Sequence, residues 1–303
     1  MREQRPRCQR IGRATSACAG RRGPGIPSPW FAGQVDDHDI EGAPGAPAVS
    51  VVIPVKDDAA LLARCLRALA VQTLRPDEIV VVDNASRDDS AEVARRAGCR
   101  VVRCERPGIP AAAATGYTAA RGALILRLDA DCLPEPTWVE TMARAAAARP
   151  DASVFAGGAY FIDGPPALRR PVAAAYLGAY ATVAVATLGH LPVFGSNLAF
   201  RRAAWDDIRR HAHTDDPEVH DDLDLAFHFG ERHRIVFVPD AGMGMSMRPF
   251  ADARAFRRRV RRGARTVLRH WPADFPPVRW VRLTLRRVLH LAGVPTPRRA
   301  GRR

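Results

Sequence analysis

From residue 49 onward the hydrophobic positions switch repeatedly between unbroken apolar runs and helical spacing. Val49-Ser50-Val51-Val52-Ile53 is a short apolar run stopped by Pro54, the pattern of a strand buried on both faces. Leu61, Leu62, Cys65, Leu66, Leu69 and Ala70 then recur at the spacing of one helical face. Glu78-Ile79-Val80-Val81-Val82 predicts a second strand, residues 90–98 a helix ended by glycine, and residues 100–104 a third strand. A helix over 110–121 and a strand over 123–128 continue the series. Strands and helices alternating through short links predict right-handed βαβ units, hence an α/β fold with a mostly parallel sheet flanked by helices.

The second half is less regular. Residues 138–148 predict a helix and 153–161 a strand. Residues 171–200 contain no Asp, Glu, Lys or Arg, but Ala and Gly dominate, and Pro171, His190 and Pro192 interrupt the run. Bilayer insertion would be weakly driven, so the expectation is a buried or interfacial helix rather than a span. Farther on, Phe256, Val260, Ala264, Val267, Leu268 and Trp271 share a helical face with arginines between them, and residues 280–291 repeat the pattern. Such basic amphipathic helices suit a membrane surface, or packing on their own domain with a solvated arginine face. Residues 1–47, rich in Gly, Pro and Arg without a period, read as a disordered extension. The expected organisation is thus an extension (1–47), an α/β domain (48–249) and a basic helical tail (250–303).

Charge sharpens that division. The formal charge of +14 suggests a nucleic-acid binder until it is located. Residues 248–303 hold 17 Arg against 2 Asp, leaving 29 basic and 30 acidic residues elsewhere. A neutral body argues against nucleic acid, and a basic tail points to an anionic surface such as a membrane. The cysteines Cys8, Cys18, Cys65, Cys99, Cys104 and Cys132 form no C-x-x-C pair, which fits a reducing cytoplasm. The Arg-rich N-terminus lacks the apolar core of a secretory signal.

Candidate chemistry gathers where strands end. In Leu128-Asp129-Ala130-Asp131-Cys132, two carboxylates at i and i+2 of an extended segment face the same way. They follow a strand whose C-terminal end is where open α/β sheets bind ligands, and hard oxygen ligands there suit Mg²⁺ or Mn²⁺. Capping of the next helix is the plainer alternative. Asp83-Asn84-Ala85-Ser86 and Lys56-Asp57-Asp58 end the second and first strands at the same edge. His220-Asp221-Asp222-Leu223-Asp224 places three acids in one window, where mutual repulsion would raise a pKa and prepare a general base. Dipole pairing at a helix start is the competing account. Gly195-Ser196-Asn197 has the composition of a ligand rim.

In this order the pieces resemble the inverting family 2 glycosyltransferases. The resemblance rests on Val51-Val52-Ile53-Pro54-Val55, Cys65-Leu66 with Leu69 and Gln72, and Glu78 through Ser86. It continues through Pro107-Gly108, Gly116, Ala120-Arg121-Gly122, Leu128 through Cys132, Gly195-Ser196-Asn197 and Asp221-Asp222. It implies a GT-A nucleotide-diphospho-sugar transferase fold and metal-dependent transfer of a sugar to a hydroxyl acceptor, while the basic tail is expected to attach peripherally to the inner face of an anionic membrane and give access to a lipid-linked or cell-envelope acceptor. It also implies residue roles. Asp83 would meet the nucleotide base, with Pro54, Val55 and Lys56 lining that pocket. Asp129 and Ala130 would lie at the ribose, and Asp131, with Asp129, at the Mg²⁺ or Mn²⁺. Asp222 would be the catalytic base. Gly195, Ser196, Asn197 and Asp221, which replaces the commoner Glu, would face acceptor or diphosphate. Where relatives carry an Arg-Asn pair, Ala113 and Ala114 stand here, and Arg248 is the expected substitute cation. A nucleotidyltransferase is the enzymatic rival, but Val55-Lys56-Asp57-Asp58 lacks the glycines of its phosphate loop. A nucleotide-sugar-binding membrane-surface protein without catalysis is the other.

Overall fold

Why the strands bury both faces is plain in the computed structural model, which describes residues 48–247 and 253–292. The first half comprises β1 (Val49–Val55), α1 (Ala59–Ala70), β2 (Glu78–Asp83), α2 (Ser90–Arg96), β3 (Arg100–Arg103), α3 (Ile109–Ala119) and β4 (Leu124–Arg127). Val51, Ile53 and Val55 of β1 share a core with Leu62, Leu66 and Leu69 of α1. Val52, on the opposite face, packs with α3, where a Cβ on Gly116 would collide with Val52 and Val82. The helix can lie that close only because position 116 has no side chain. β1 pairs in parallel with β2 and with β4, and β2 with β3, so their C-terminal ends share one edge.

Beyond β4 the sheet becomes mixed. The chain adds β5 (Leu133–Pro134), α4 (Trp138–Ala148), β6 (Val154–Phe161), α5 (Pro166–Leu188), β7 (Leu198–Arg201), α6 (Arg202–Ile208), α7 (Asp221–Arg232) and β8 (Ile235–Met245). Then follow α8 (Ala253–His270) and α9 (Pro276–Leu291). The sheet order is β3-β2-β1-β4-β7-β6-β8-β5. β7 runs antiparallel between β4 and β6, β6 pairs in parallel with β8, and β5 is antiparallel to β8.

The charge-free stretch departs from the buried alternative. α5 passes through Pro171 and stops at Gly189, whose φ of 75° ends it in the left-handed conformation. It is long and apolar enough to cross a membrane by length and composition, yet only Ala173, Ala184 and Leu188 are buried along it. Its neighbours cover one face and leave Val172, Val183 and Val185 exposed.

The basic helices pack on the domain through one face. The His220 backbone N–H donates to Thr266 Oγ1 of α8 at 2.8 Å, while Arg261 and Arg262 reach Glu218 and Arg265 reaches Asp216. Arg279 of α9 is 1% exposed and donates to the carbonyls of Leu188 and Phe227. The other face keeps Val260, Leu268, Val281 and Leu285 in solvent. The expected extension (1–47) lies outside the described residues.

Candidate active site

A buried arginine organises the site. Arg127, the last residue of β4, is 1% exposed. Burying a cation costs several kcal/mol unless it is paired, and here carboxylates from two separate segments meet it. Its Nη1 lies 2.6 Å from Asp221 Oδ2 and 3.1 Å from Asp222 Oδ1, and its Nη2 lies 3.2 Å from Asp129 Oδ1. Arg127 at the exit of β4 and Asp222 in the first turn of α7, 95 residues apart in sequence, are thereby fixed to each other. Gly195 is held against this junction, and a Cβ there would collide with Arg127 Nη1 and Asp222 Oδ1. Sequence reasoning missed Arg127. Its signal was a charge closing an otherwise apolar strand.

Crowded acids make this corner electronegative. Burial pushes the Asp129 carboxyl up to about 7; Asp131, Asp222 and Asp221 add to the rise, and Arg127 opposes it. The side chain still keeps 39% of its surface open, so water and cations reach it. Asp221 is likewise raised by burial, against the pull of Arg127. Asp129, Asp131 and Cys132 offer ligand atoms within 4.8 Å of one another, as do His220, Asp221 and Asp222. Burial holds the Cys132 thiol well above its usual range, so it stays protonated, and the hard carboxylates remain as donors. Asp224 does not join its neighbours. Two residues on, it is turned about 200° around α7, and its carboxylate is hydrogen-bonded to His213 and His270. The expected three-acid cluster is therefore a pair.

These acids form part of a cleft of about 320 Å³. Tyr176 and Tyr180 of α5 and Arg258, Arg259 and Arg262 of α8 line the same cleft. The arginines come from the helix read as a tail, and they supply cations that Ala113 and Ala114 do not. Those two alanines are buried in the core against the sheet. Arg248 lies outside the described residues. Ser196 lines the cleft, but Asn197 is fully buried. Its Oδ1 accepts from Trp138 Nε1 at 2.7 Å, and its Nδ2 donates to the carbonyls of Gly158 and Ala241. With both ends of its amide engaged, Asn197 ties α4, β6 and β8 together and is not a rim residue.

Asp83 stands at the same sheet edge, at the end of β2 beside β1. It is 8% exposed and accepts from the Ser86 N–H at 3.0 Å. Lys56 donates to the Asn84 carbonyl, and the Asn84 side chain holds Gly108 and the carbonyls of Cys104 and Arg106. Pro54 and Val55 are buried. Asp57 and Ala85 adopt left-handed φ values of 53° and 55°, unusual without glycine, so the rim turns carry strain.

The model of the family described as glycosyl transferase family 2 matches residues 50–209. Glycosyltransferase AglE of Haloferax volcanii is 37% identical over 102 residues, covering 31% of this chain and 34% of its own. The undecaprenyl-phosphate 4-deoxy-4-formamido-L-arabinose transferase of Pseudomonas paraeruginosa is 41% identical over 109 residues, 33% of this chain and 32% of its own. The chain thus spans about a third of the length of these curated relatives. Among solved structures, a mannosyltransferase of Pyrobaculum calidifontis in complex with GDP-Man and Mn²⁺ superposes with a TM-score of 0.56 at 24% identity. It covers 81% of this chain and 70% of its own. Glucosyl-3-phosphoglycerate synthase of Mycobacterium tuberculosis, with Mn²⁺, UDP and phosphoglyceric acid, gives 0.53 at 17% identity, covering 82% and 80%. These likenesses show the fold, that of GT-A glycosyltransferases.

Proposed function

The chain belongs to glycosyl transferase family 2, and from that premise we propose that its cleft moves a sugar from a nucleotide-diphosphate donor to a hydroxyl acceptor with inversion. The observation that carries this reading is the junction at Arg127, which sets Asp129 beside Asp221 and Asp222 in a cleft also lined by three arginines of α8. Asp222, 20% exposed beside the cleft, takes the proton of the acceptor hydroxyl. That hydroxyl then attacks the anomeric carbon from the face opposite the leaving diphosphate. Arg258, Arg259 and Arg262 stand where charge on that diphosphate needs neutralising.

The donor set fits a hard divalent ion: crowded carboxylates, one with its affinity for protons raised, and a neighbouring thiol that stays neutral. Asp131 and Asp129 would hold Mg²⁺ or Mn²⁺, which would supply Lewis-acid stabilisation of the departing phosphate. The Mn²⁺ in the superposed structures supports this assignment. Asp83 and Lys56, with Pro54 and Val55, bind the nucleotide base end at the same edge, and Ala130 lies by the ribose.

The acceptor we propose is lipid-linked, met at the inner face of an anionic membrane. Exposed apolar residues on the charge-free stretch of α5, and others interleaved with arginines on α8 and α9, support it, as does the name of the undecaprenyl-phosphate relative. The decisive experiment assays transfer from UDP-, GDP- and dTDP-sugars with Mn²⁺. Asp222→Asn should lower turnover about a thousandfold while retaining nucleotide binding. Asp131→Asn, or EDTA, should abolish the metal-dependent part of that binding. Near wild-type turnover of Asp222→Asn would end the base assignment.

A further inference from the structure

Away from the cleft, four side chains from three segments converge. Asp224 and His228 lie one turn apart on α7, His213 comes from the α6–α7 connection, and His270 ends α8. One ligand atom from each lies within 4.8 Å of all the others. Asp224 Oδ1 is 2.7 Å from His213 Nδ1, 2.9 Å from His270 Nε2 and 3.6 Å from His228 Nε2. A carboxylate oxygen has two lone pairs, and three imidazole nitrogens face this one. Two are served. The third, His228 Nε2, is buried with no hydrogen-bond partner.

We propose that His213, Asp224, His228 and His270 form a structural zinc site. Three imidazoles and one carboxylate are a borderline donor set that favours Zn²⁺, whereas the all-carboxylate corner of the cleft favours Mg²⁺ or Mn²⁺. Tetrahedral zinc with bonds of about 2.0–2.1 Å separates its ligand atoms by about 3.4 Å. The contacts to Asp224 straddle that spacing, so modest side-chain motion admits the ion. Supporting contacts are present. His270 Nδ1 lies 3.5 Å from Asp274 Oδ2, the outer carboxylate that commonly orients a metal-bound imidazole. The His270 ring also stacks on Phe227 with centroids 4.0 Å apart. A cavity of about 310 Å³ lined by His211, His213, His228 and His270 gives an entry path.

The ion would clamp α8 to α7. α7 carries Asp221 and Asp222, and α8 carries three arginines that line the cleft, so one bond set would tie together the two helices that supply them. The site stands whether or not the donor reading holds.

The test uses the full chain with an affinity tag that contains no histidine, stripped by a chelator and titrated with Zn²⁺ against a chromophoric chelator. The expected result is one tightly held Zn²⁺ per chain and a rise in melting temperature of about 5 °C or more. Co²⁺ should give the visible bands of a four-coordinate ion, and Mn²⁺ should not substitute. His213→Gln and His228→Gln, at the less buried positions and checked by circular dichroism, should each weaken zinc binding at least tenfold, whereas Asp131→Asn should leave it unchanged. A wild-type chain that holds no zinc, or a zinc affinity in either glutamine variant equal to that of the wild type, would overturn the proposal.

Discussion

Replacing Arg127 with methionine removes the cation that three carboxylates share while keeping most of the side-chain volume. Breaking a buried ion pair from one side costs about 3–5 kcal/mol, because the partner charges stay behind. Here the arginine side chain is 2% exposed, but those of Asp221, Asp222 and Asp129 keep 14%, 20% and 39%. Water screens them, so the expected loss lies at the low end, about 3 kcal/mol near pH 8. The loss should shrink with acidification. Asp129 and Asp221 already have raised pKa values with Arg127 present, and its removal raises them further. An acid whose folded pKa exceeds its unfolded value holds its proton more tightly in the fold. Its contribution is therefore full below the unfolded value and is lost as pH rises through the folded one. Urea denaturation of both proteins at about pH 6 and about pH 8, followed by circular dichroism, measures the difference. Mn²⁺ should stabilise the variant more than the wild type, since more uncompensated charge awaits it. A loss under about 1 kcal/mol, or one indifferent to pH and Mn²⁺, would refute the account of Arg127 as the charge hub.

Three further outcomes follow from the same structure. Asn197→Ala leaves the Trp138 indole N–H and the Gly158 and Ala241 carbonyls without partners, and should cost about 3 kcal/mol or more in chemical denaturation. Gly195→Ala drives a methyl into the Arg127–Asp222 contact, and should lower transfer activity about a hundredfold with a smaller change in melting temperature. His190, whose Nε2 faces Arg279 and whose Nδ1 meets the Leu191 carbonyl, is held down to about 4 by burial, with Arg279 adding to the drop. A base depressed in the fold stabilises above its unfolded pKa, so stability should fall by up to about 3 kcal/mol as pH drops from about 6.5 to about 4. His190→Gln should flatten that part of the stability profile, and an unchanged slope would refute it.

The first half of the fold was legible in the sequence because its signals are local. Val51 through Ile53, Ile79 through Val82 and Leu124 through Leu126 are apolar runs whose lengths and flanking prolines or acids mark strands without knowledge of any partner. Their parallel pairing then places Asp83 and Asp129 at one edge as a matter of topology. The second half was harder. β8 has its apolar run interrupted by Pro239 and Asp240 and ends in glycines alternating with methionines, and β7 is a short strand leading straight into α6. Such strands are specified by the neighbours that pair with them, not by their own periodicity. The charge-free run of α5 was likewise ambiguous, since apolar composition does not say which face finds cover.

By itself the sequence determined the order of strands and helices, the acids at strand ends and the concentration of arginine after residue 247, because chain-local periodicity and composition carry that information. Only the tertiary structure decided which charges meet. It brought Arg127 to Asp222, 95 residues away, and to the adjacent Asp221, turned Asp224 away towards three histidines, hid Asn197 and set arginines of α8 into the cleft wall. The physical reason is that the cost of burying charge is settled by whatever stands within a few ångströms, and chain spacing does not encode that distance.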